Sequence, residues 1–287
     1  MKFKAIDRRN EGKTTDRQCQ LVQLYIMDVI DEICAEYGLR YYLDFGSLIG
    51  AMRHNGFIPW DDDLDVTMPW PDYCRFLKIC KTELPSKLML DDPNEIPGSH
   101  VPSVRIRDRC SFYGEPDTIL RRPAGIFVDI YPLVRSPNLP QPILRWFLHT
   151  IVAVMSSERA YRNLQYGNML KMFSGFLRAS VWHVISCMLL GAYWSMKVVF
   201  GSIWCHKPPQ AYPECVKLSD EDLFPTRRHA FDDHEYNVPN DADKVLTMEF
   251  GDWRKLPPEE ERVGHHCGFI FPTQAPKVWW AMPYEVS

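Results

Sequence analysis

The chain has 287 residues, of which 46% are hydrophobic and 24% charged, and its formal net charge at pH 7 is −4. This length allows one or two domains with a substantial core, and the composition excludes wholesale disorder, collagen and a small disulfide-stapled protein. Because acidic residues outnumber basic ones, no overall positive charge indicates a nucleic-acid partner.

Helices and strands alternate in the first half of the chain, as the spacing of its apolar residues indicates. The pattern predicts a helix, a strand, one or two helical turns, a strand, a helix and two more strands, at 16–37, 40–45, 47–53, 64–68, 71–84, 101–107 and 126–131. Gly38 ends the first helix, and Gly46-Ser47 interrupts the first strand. The polar segment 91–100 is expected to be a loop.

The middle of the chain, from Pro140 to about Trp204, is predicted to be helical and combines aromatic with basic residues. Within it, Val181 to Trp204 is a long apolar stretch that contains Lys197. Three interpretations stay open: a membrane span, which a charge inside the stretch disfavours, a helix on a membrane surface, and a buried helix. After Lys207 the chain is expected to be polar and rich in loops.

The cysteines and the N-terminal segment indicate the compartment in which the protein is expected. None of the nine cysteines is spaced C-x-x-C from another, so we expect reduced thiols. Residues 1–16 are charged and polar, without the apolar run that a secretory signal contains. Both features predict a cytoplasmic protein.

The strongest chemical signal is a group of acidic residues that enters an apolar strand. Asp61, Asp62, Asp63 and Asp65 lie within five positions, and a solvated acidic turn is the simplest interpretation. However, Asp63 and Asp65 are two positions apart on a predicted strand, so their side chains project from the same face. Carboxylates that converge in this way suit a hard cation such as Mg²⁺. Asp129 adds an acid inside a second apolar strand, where burial requires a partner or a metal.

A glycine and a serine precede these acids at the junction between a strand and a helix. Gly46 and Ser47 offer backbone N–H groups and a hydroxyl, which suit a phosphate. A Gly-Ser turn, two acids in alternation and a third acid on another strand form the ordered set typical of the nucleotidyltransferase superfamily. The set is moderately specific, whereas the Gly-Ser pair alone carries no weight.

A longer match is more specific. Residues 42–65, YLDFGSLIGAMRHNGFIPWDDDLD, closely resemble the signature of the LicD family, which includes bacterial phosphocholine transferases and, more distantly, fukutin-related proteins of animals. Segments 104–108 and 127–133 resemble its next two blocks, and 245–258 with Arg262 and His265-His266 is similar to its C-terminal block. The region 140–207 matches no motif of the family.

The resemblance implies a fold, an activity and a division of the chain. The expected fold is α/β (α+β), a nucleotidyltransferase-like mixed sheet with flanking helices and a helical insertion. The implied enzyme moves a phospho-alcohol from a CDP-activated donor, with CDP-choline favoured, onto a hydroxyl of a cell-surface glycan such as lipopolysaccharide or of its lipid-linked precursor, and releases CMP. The implied division is a catalytic core at 1–139, a helical insertion at 140–207 and a C-terminal segment at 208–287 that packs back on the core.

The resemblance also assigns roles by position. Asp63, Asp65 and Asp129 match the metal-binding acids and would hold Mg²⁺ or Mn²⁺, with Asp129 also a candidate general base. Candidates for binding the donor are Gly46, Ser47, Arg53, His54, Arg105, Lys255, His265 and His266. Ordinary structural roles compete with these assignments: Arg53 as a solvated loop charge, Arg105 or its neighbour Arg107 in an ion pair, and the C-terminal residues as exposed side chains.

Two alternatives to this function remain open from the sequence. The same acids would serve true nucleotidyl transfer, in which an NTP reacts and pyrophosphate is released. A non-catalytic module that binds a nucleotide or a glycan is the other alternative, although the intact acids argue against it. The implied location is cytoplasmic, with the basic and aromatic middle region as a candidate for peripheral contact with the inner face of the membrane.

Overall fold

The computed structural model describes residues 3–92, 103–114, 125–140, 142–143, 169–206, 216–262 and 269–274. The chain divides into two compact units, one formed by 1–133 and 221–287 and the other by 134–220. The described helices are α1 Thr15–Tyr37, α2 Phe45–His54, α3 Trp70–Glu83, α4 Met169–Phe200, α5 Asp220–Leu223 and α6 Ala242–Phe250. The described strands are β1 Tyr42–Leu43, β2 Asp65–Pro69, β3 Leu88–Asp91, β4 Val104–Asp108, β5 Phe112–Gly114, β6 Phe127–Pro137, β7 Ser202–His206, β8 Val216–Leu218, β9 Arg227–Phe231, β10 His234–Val238 and β11 Phe269–Phe271.

The first unit is built on a curled mixed sheet with flanking helices, in the order β1-β2-β6-β4-β3. The pair β2 and β6 is parallel, whereas the other neighbours in this order are antiparallel. Two small antiparallel pairs, β5 with β11 and β9 with β10, complete the described strands of the unit. The expected α/β class with a mixed sheet is confirmed.

Helix α1 supplies much of the core of this unit. Thr14 caps its N-terminus by accepting a hydrogen bond from the backbone N–H of Arg17, and Gly38 ends it in the left-handed conformation with φ 61°. Side chains from Cys19 to Ile30 are buried on nearly all sides of the helix. The predicted helix is confirmed to within one residue.

Two local predictions need correction. The strand expected at 40–45 is limited to Tyr42–Leu43, because Asp44 already caps helix α2 by accepting from the N–H of Phe45. The region after 207 was expected to be rich in loops, yet it contains the hairpin β9–β10 and helix α6. Arg227–Phe231 is polar at most positions and therefore lacks the apolar alternation that predicts a strand.

The second unit consists of a small antiparallel sheet and the long helix α4. The end of β6, from Val134 to Pro137, pairs with β7, which pairs in turn with β8. Helix α4 is attached through Tyr193, whose hydroxyl lies 2.9 Å from Ser136 Oγ and donates to the carbonyl of Arg135 at 3.3 Å.

The apolar stretch from Val181 to Trp204 falls mainly on α4, which ends at Phe200. Most of its described apolar side chains are exposed, so the interpretation as a buried helix is wrong. Within the ranges that the structure describes, no helix has the length and apolarity required to cross a membrane.

Candidate active site

Strand pairing brings two of the predicted acids together. Asp65 on β2 and Asp129 on β6 are register partners in the parallel pair, so their side chains leave the same face of the sheet side by side. Both residues are buried. Asp63 precedes β2 and is partly exposed. The structure therefore brings two of the three predicted metal ligands side by side, and the third, Asp63, lies just before β2.

Several carboxylates lie close together at this edge of the sheet, and their ionised forms repel one another. Burial raises the pKa of Asp65 well above its usual range, and the carboxylates of Asp63, Asp129, Asp44 and Asp61 raise it further. These acids lie close together and repel one another in a region with limited water. An added cation would relieve that repulsion.

Asp61 takes part in the same cluster, although it was not assigned a role from the sequence. Burial, the nearby charge of Asp63 and a hydrogen bond with Asp63 raise the pKa of Asp61 to about 8. A Cβ atom at Gly46 would lie 2.8 Å from Asp61 Oδ2, so only glycine allows helix α2 to approach this carboxylate so closely. Gly46 therefore lies beside Asp61, and its contact with a phosphate stays a prediction.

Asp129 differs from Asp65 because a cation accompanies it. Arg105 Nε donates to Asp129 Oδ1 at 3.0 Å, and Ser103 Oγ donates to the same oxygen at 2.9 Å. The Arg105 guanidinium also lies over the Phe127 ring, 3.9 Å from its centre. These contacts orient Asp129 and bring Arg105 to the site. Arg105 and Asp129 thus form an ion pair, which was the structural role considered for Arg105.

Arg107 shares a strand with Arg105 but has a structural role. Its side chain is fully buried, donates to Asp91 Oδ2 at 2.7 Å and donates to the carbonyl of Gly125 at 2.9 Å. Of these two arginines, Arg105 contacts an acid of the candidate site, Asp129, whereas Arg107 contacts Asp91.

Ser47 ties helix α2 to the strand that carries Asp65. Its Oγ accepts a hydrogen bond from the backbone N–H of Asp65 at 2.8 Å, and the side chain is buried. Asp44 anchors the same region, since it caps the helix and accepts from the hydroxyl of Thr67. The hydroxyl of Ser47 thus positions the strand, and its contact with a phosphate stays a prediction.

Two aromatic residues beside the acids were missed from the sequence. Phe45 and Tyr131 meet edge to face with ring centres 5.0 Å apart. Burial and the charges of Asp65, Asp129 and Asp63 raise the pKa of Tyr131 well above its usual range, which places its hydroxyl near these acids. Tyr131 could have been found from the sequence because it lies two positions after Asp129 on the same strand face.

A basic and aromatic cluster forms around the loop before the acids, and Arg53, His54 and Trp60 belong to it. Arg53 Nη1 donates to the carbonyl of Trp253 at 2.9 Å, and its Nε donates to His54 Nε2 at 3.0 Å. Arg262 lies over Trp60, 5.5 Å from the ring centre. Burial and the neighbouring Arg262 lower the pKa of Arg53, so positive charge is concentrated here. This cluster suits an anion.

The structure does not place the remaining predicted donor-binding residues beside the acids. Lys255 is exposed on the loop after α6, and no described contact joins its side chain to the acids. His265 and His266 lie outside the described residues. Within the part of the chain described here, no three His, Cys, Asp or Glu side chains are already gathered closely enough to hold a metal ion. The oxygen donors and their mutual repulsion nevertheless fit a hard divalent cation.

The mixed sheet and its paired carboxylates can be compared with known protein families. Residues 38–94 match the family model described as LicD/FKTN/FKRP, nucleotidyltransferase domain. The matched range includes helix α2, strand β2 and the acids from Asp61 to Asp65. Residues 38–94 therefore resemble a nucleotidyltransferase domain.

Similarity to individual proteins extends over most of the chain. The chain is 28% identical over 271 residues to the lipopolysaccharide cholinephosphotransferase LicD of Haemophilus influenzae. The aligned region covers 88% of this chain and 97% of that protein. The ribitol 5-phosphate transferase FKRP of mouse and of human is 45% identical over 42 residues, 15% of this chain and 8% of that protein. The resemblance found in the sequence is thereby confirmed, over residues 38–94 for the domain and over most of the chain for the cholinephosphotransferase.

Proposed function

We propose that the protein transfers phosphocholine from CDP-choline to a hydroxyl of a cell-surface glycan or of its lipid-linked precursor, and releases CMP. The observation that carries the proposal is the register pairing of Asp65 with Asp129, beside Arg105, inside a family-matched domain. The near full-length similarity to a lipopolysaccharide cholinephosphotransferase favours choline as the alcohol and a glycan as the acceptor.

Asp63, Asp65 and Asp129 are the residues that would hold Mg²⁺ or Mn²⁺. The ion, when bound, supplies charge neutralisation at the pyrophosphate of the donor and at the departing CMP. Without it, the acids repel both one another and the phosphates of a donor. The proposal therefore makes donor binding dependent on the metal.

The residues of the chain supply orientation and proton transfer. Arg105 and Ser103 both donate to Asp129 Oδ1. We assign Oδ2 of Asp129 to metal binding or to accepting the proton of the acceptor hydroxyl. In the transfer, a bond forms between the acceptor oxygen and phosphorus, the bond from phosphorus to the CMP oxygen breaks, and CMP leaves with the bonding electrons.

Positive charge around the site would hold the donor. The first turn of α2, with Gly46 and Ser47, offers backbone N–H groups to a phosphate. The cluster of Arg53, His54 and Arg262 offers further donors. Lys255, His265 and His266 keep a proposed role in donor binding that rests on the family resemblance alone. We place the reaction on the cytoplasmic side of the membrane, where a nucleotide-activated donor is available.

Calorimetric titration tests the donor class directly. CDP-choline, CDP-ribitol, CDP-glycerol and CTP are each titrated with and without Mg²⁺ into the wild type and into D63N/D65N. The proposal predicts binding of CDP-choline that requires Mg²⁺ and is lost in the double variant. Asp233→Asn, which changes an exposed acid paired with Arg8, is the matched control and should bind as the wild type does.

The other outcomes of this titration reject the proposal in distinct ways. Selective binding of CDP-ribitol or CDP-glycerol would replace the alcohol but keep the reaction class. Selective binding of CTP, with pyrophosphate released on turnover, would establish nucleotidyl transfer. Binding of CDP-choline without turnover on any acceptor glycan would indicate a non-catalytic module.

A further inference from the structure

The outer surface of helix α4 is unusually apolar for a helix in contact with water. Val181, Val184 and Met188 are exposed near its middle, with Met188 69% exposed. Trp194 and Val198 are 64% and 86% exposed nearer its C-terminal end. Scattered single hydrophobic residues on a surface are ordinary, but this is a continuous set on one element.

The attached face of the helix is the opposite one. The described side chains with lower exposure are Ile185, Leu189, Tyr193, Met196 and Lys197, which follow one stripe at spacings of three and four positions. Tyr193 carries the hydrogen bonds to Ser136 and Arg135. The helix is thus held along one narrow stripe, and the rest of its described apolar surface faces outward.

Charge on this helix has one sign. The sequence from Met169 to Phe200 contains no Asp or Glu, and its charged residues are Lys171, Arg178 and Lys197. The Lys197 ammonium lies 4.5 Å from the ring centre of Trp194 and 4.7 Å from that of Tyr193. An exposed tryptophan beside a lysine with a long apolar stem is the combination found where a helix lies at the level of lipid headgroups.

We propose that helix α4 binds the surface of an anionic lipid bilayer, with its outer apolar face in the headgroup and acyl boundary. The exposed apolar side chains supply the buried area, and the positive charge of the helix complements the negative lipid headgroups. No described helix is suited to crossing the bilayer, so the contact is at the surface.

A second copy of the chain is the competing occupant of this face. The centre of an interface between two copies is depleted in lysine, and two copies of an all-basic helix would bring like charges together. Lys197 lies between the attached stripe and this face, over both Tyr193 and Trp194. An anionic bilayer accepts both the apolar side chains and the charge, and for this reason it is the favoured occupant.

Flotation of the purified chain with vesicles tests this inference without donor, metal or acceptor, so its outcome is separate from the proposed transferase activity. Vesicles of phosphatidylcholine mixed with phosphatidylglycerol are compared with vesicles of phosphatidylcholine alone. We expect the wild type to float with the anionic vesicles, and M188E/V198E to lower the bound fraction about tenfold. Lys197→Gln should lower binding to anionic vesicles less strongly.

Two controls keep the result interpretable. Ile6→Glu introduces the same charge at a residue that is 70% exposed but not on α4, and it should float as the wild type does. Circular dichroism checks that each variant is folded. The inference is overturned if the wild type does not float, or if M188E/V198E floats equally well. It is also overturned if solution mass shows a dimer that M188E/V198E converts to a monomer, since a second copy would then cover this face.

Discussion

Two buried carboxylates on different strands of the same sheet have opposite surroundings. Asp108, at the end of β4, accepts from both terminal nitrogens of Arg9, at 2.8 and 2.9 Å, and from the backbone N–H of Cys110 at 3.1 Å. Asp65, at the start of β2, is surrounded by carboxylates that raise its pKa. Burial of a charge is costly unless a partner compensates it. Asp108 is therefore a buried charge with a cationic partner, whereas Asp65 is a buried acid whose neighbours disfavour its ionised form, and it is one of the ligands that we propose for the metal.

The largest expected effect concerns the uncompensated site. Asp65→Asn should reduce phosphocholine transfer by about 10³-fold or more, because it removes a proposed metal ligand and the charge that attracts the ion. The same change should leave the free energy of unfolding within about 1 kcal/mol of wild type or raise it, since repulsion among the acids falls. Release of CMP and urea unfolding measure the two quantities. A large loss of stability would contradict the proposed difference from Asp108.

The compensated site should respond in the reverse manner. Arg9→Met leaves Asp108 buried without its main cation and should lower the free energy of unfolding by about 3–5 kcal/mol. Urea unfolding checks this value. Arg254→Ala, which removes one partner of an exposed pair with Asp243, is the matched control and should cost no more than about 1 kcal/mol. Equal losses in the two variants would show that burial of the Asp108 pair is unimportant.

The acidic cluster should also make stability depend on pH and on metal. The pKa of Asp61 is raised to about 8 by burial and by Asp63, so the folded chain holds a proton that the unfolded chain releases. Without metal, this group should lower stability progressively as pH rises from about 4 to about 8. Mg²⁺ should therefore raise the unfolding temperature by a few degrees, and more near pH 8 than near pH 6.

Thermal unfolding at the two pH values, with and without Mg²⁺, measures this dependence. Asp61→Asn should flatten the pH dependence in the absence of metal. Asp233→Asn should not do so, because its carboxyl is paired with Arg8 at the surface and its pKa is lowered rather than raised. A gain from Mg²⁺ that is the same at both pH values would argue against a link between the metal and these acids.

The smallest effect is expected at the connection between α2 and β2. Ser47→Ala leaves the buried N–H of Asp65 without its acceptor and should lower the free energy of unfolding by about 1–2 kcal/mol. Ser47→Thr retains the hydroxyl and should behave as the wild type does in the same urea titration. If the alanine variant loses donor binding with no loss of stability, the serine contacts the phosphate rather than the strand.

From the sequence came the acids of the proposed site, but not the residues around them. Asp63 and Asp65 were assigned to one face from their spacing, and the pairing of β2 with β6 brings Asp129 beside Asp65 as the family resemblance implies. Tyr131 was missed because an aromatic residue on a strand is more often part of a core than of a site. Arg105 and Arg107 could not be distinguished, since their roles depend on the partners across the sheet, Asp129 and Asp91.

By itself, the sequence determined the helix Thr15–Tyr37 and the mixed α/β class, because spacing and local caps encode these features. The resemblance to the LicD family came from the order of the acids and their neighbours along the chain. Only the tertiary structure decided which charges are compensated. Arg9 reaches Asp108 from the N-terminal segment, and Arg262 reaches Trp60 from the C-terminal one. It also decided that the apolar surface of α4 faces outward. The periodicity of apolar residues predicts which face of a helix is apolar. What packs on that face, and which charges form pairs, depends on contacts between residues that are distant in the chain.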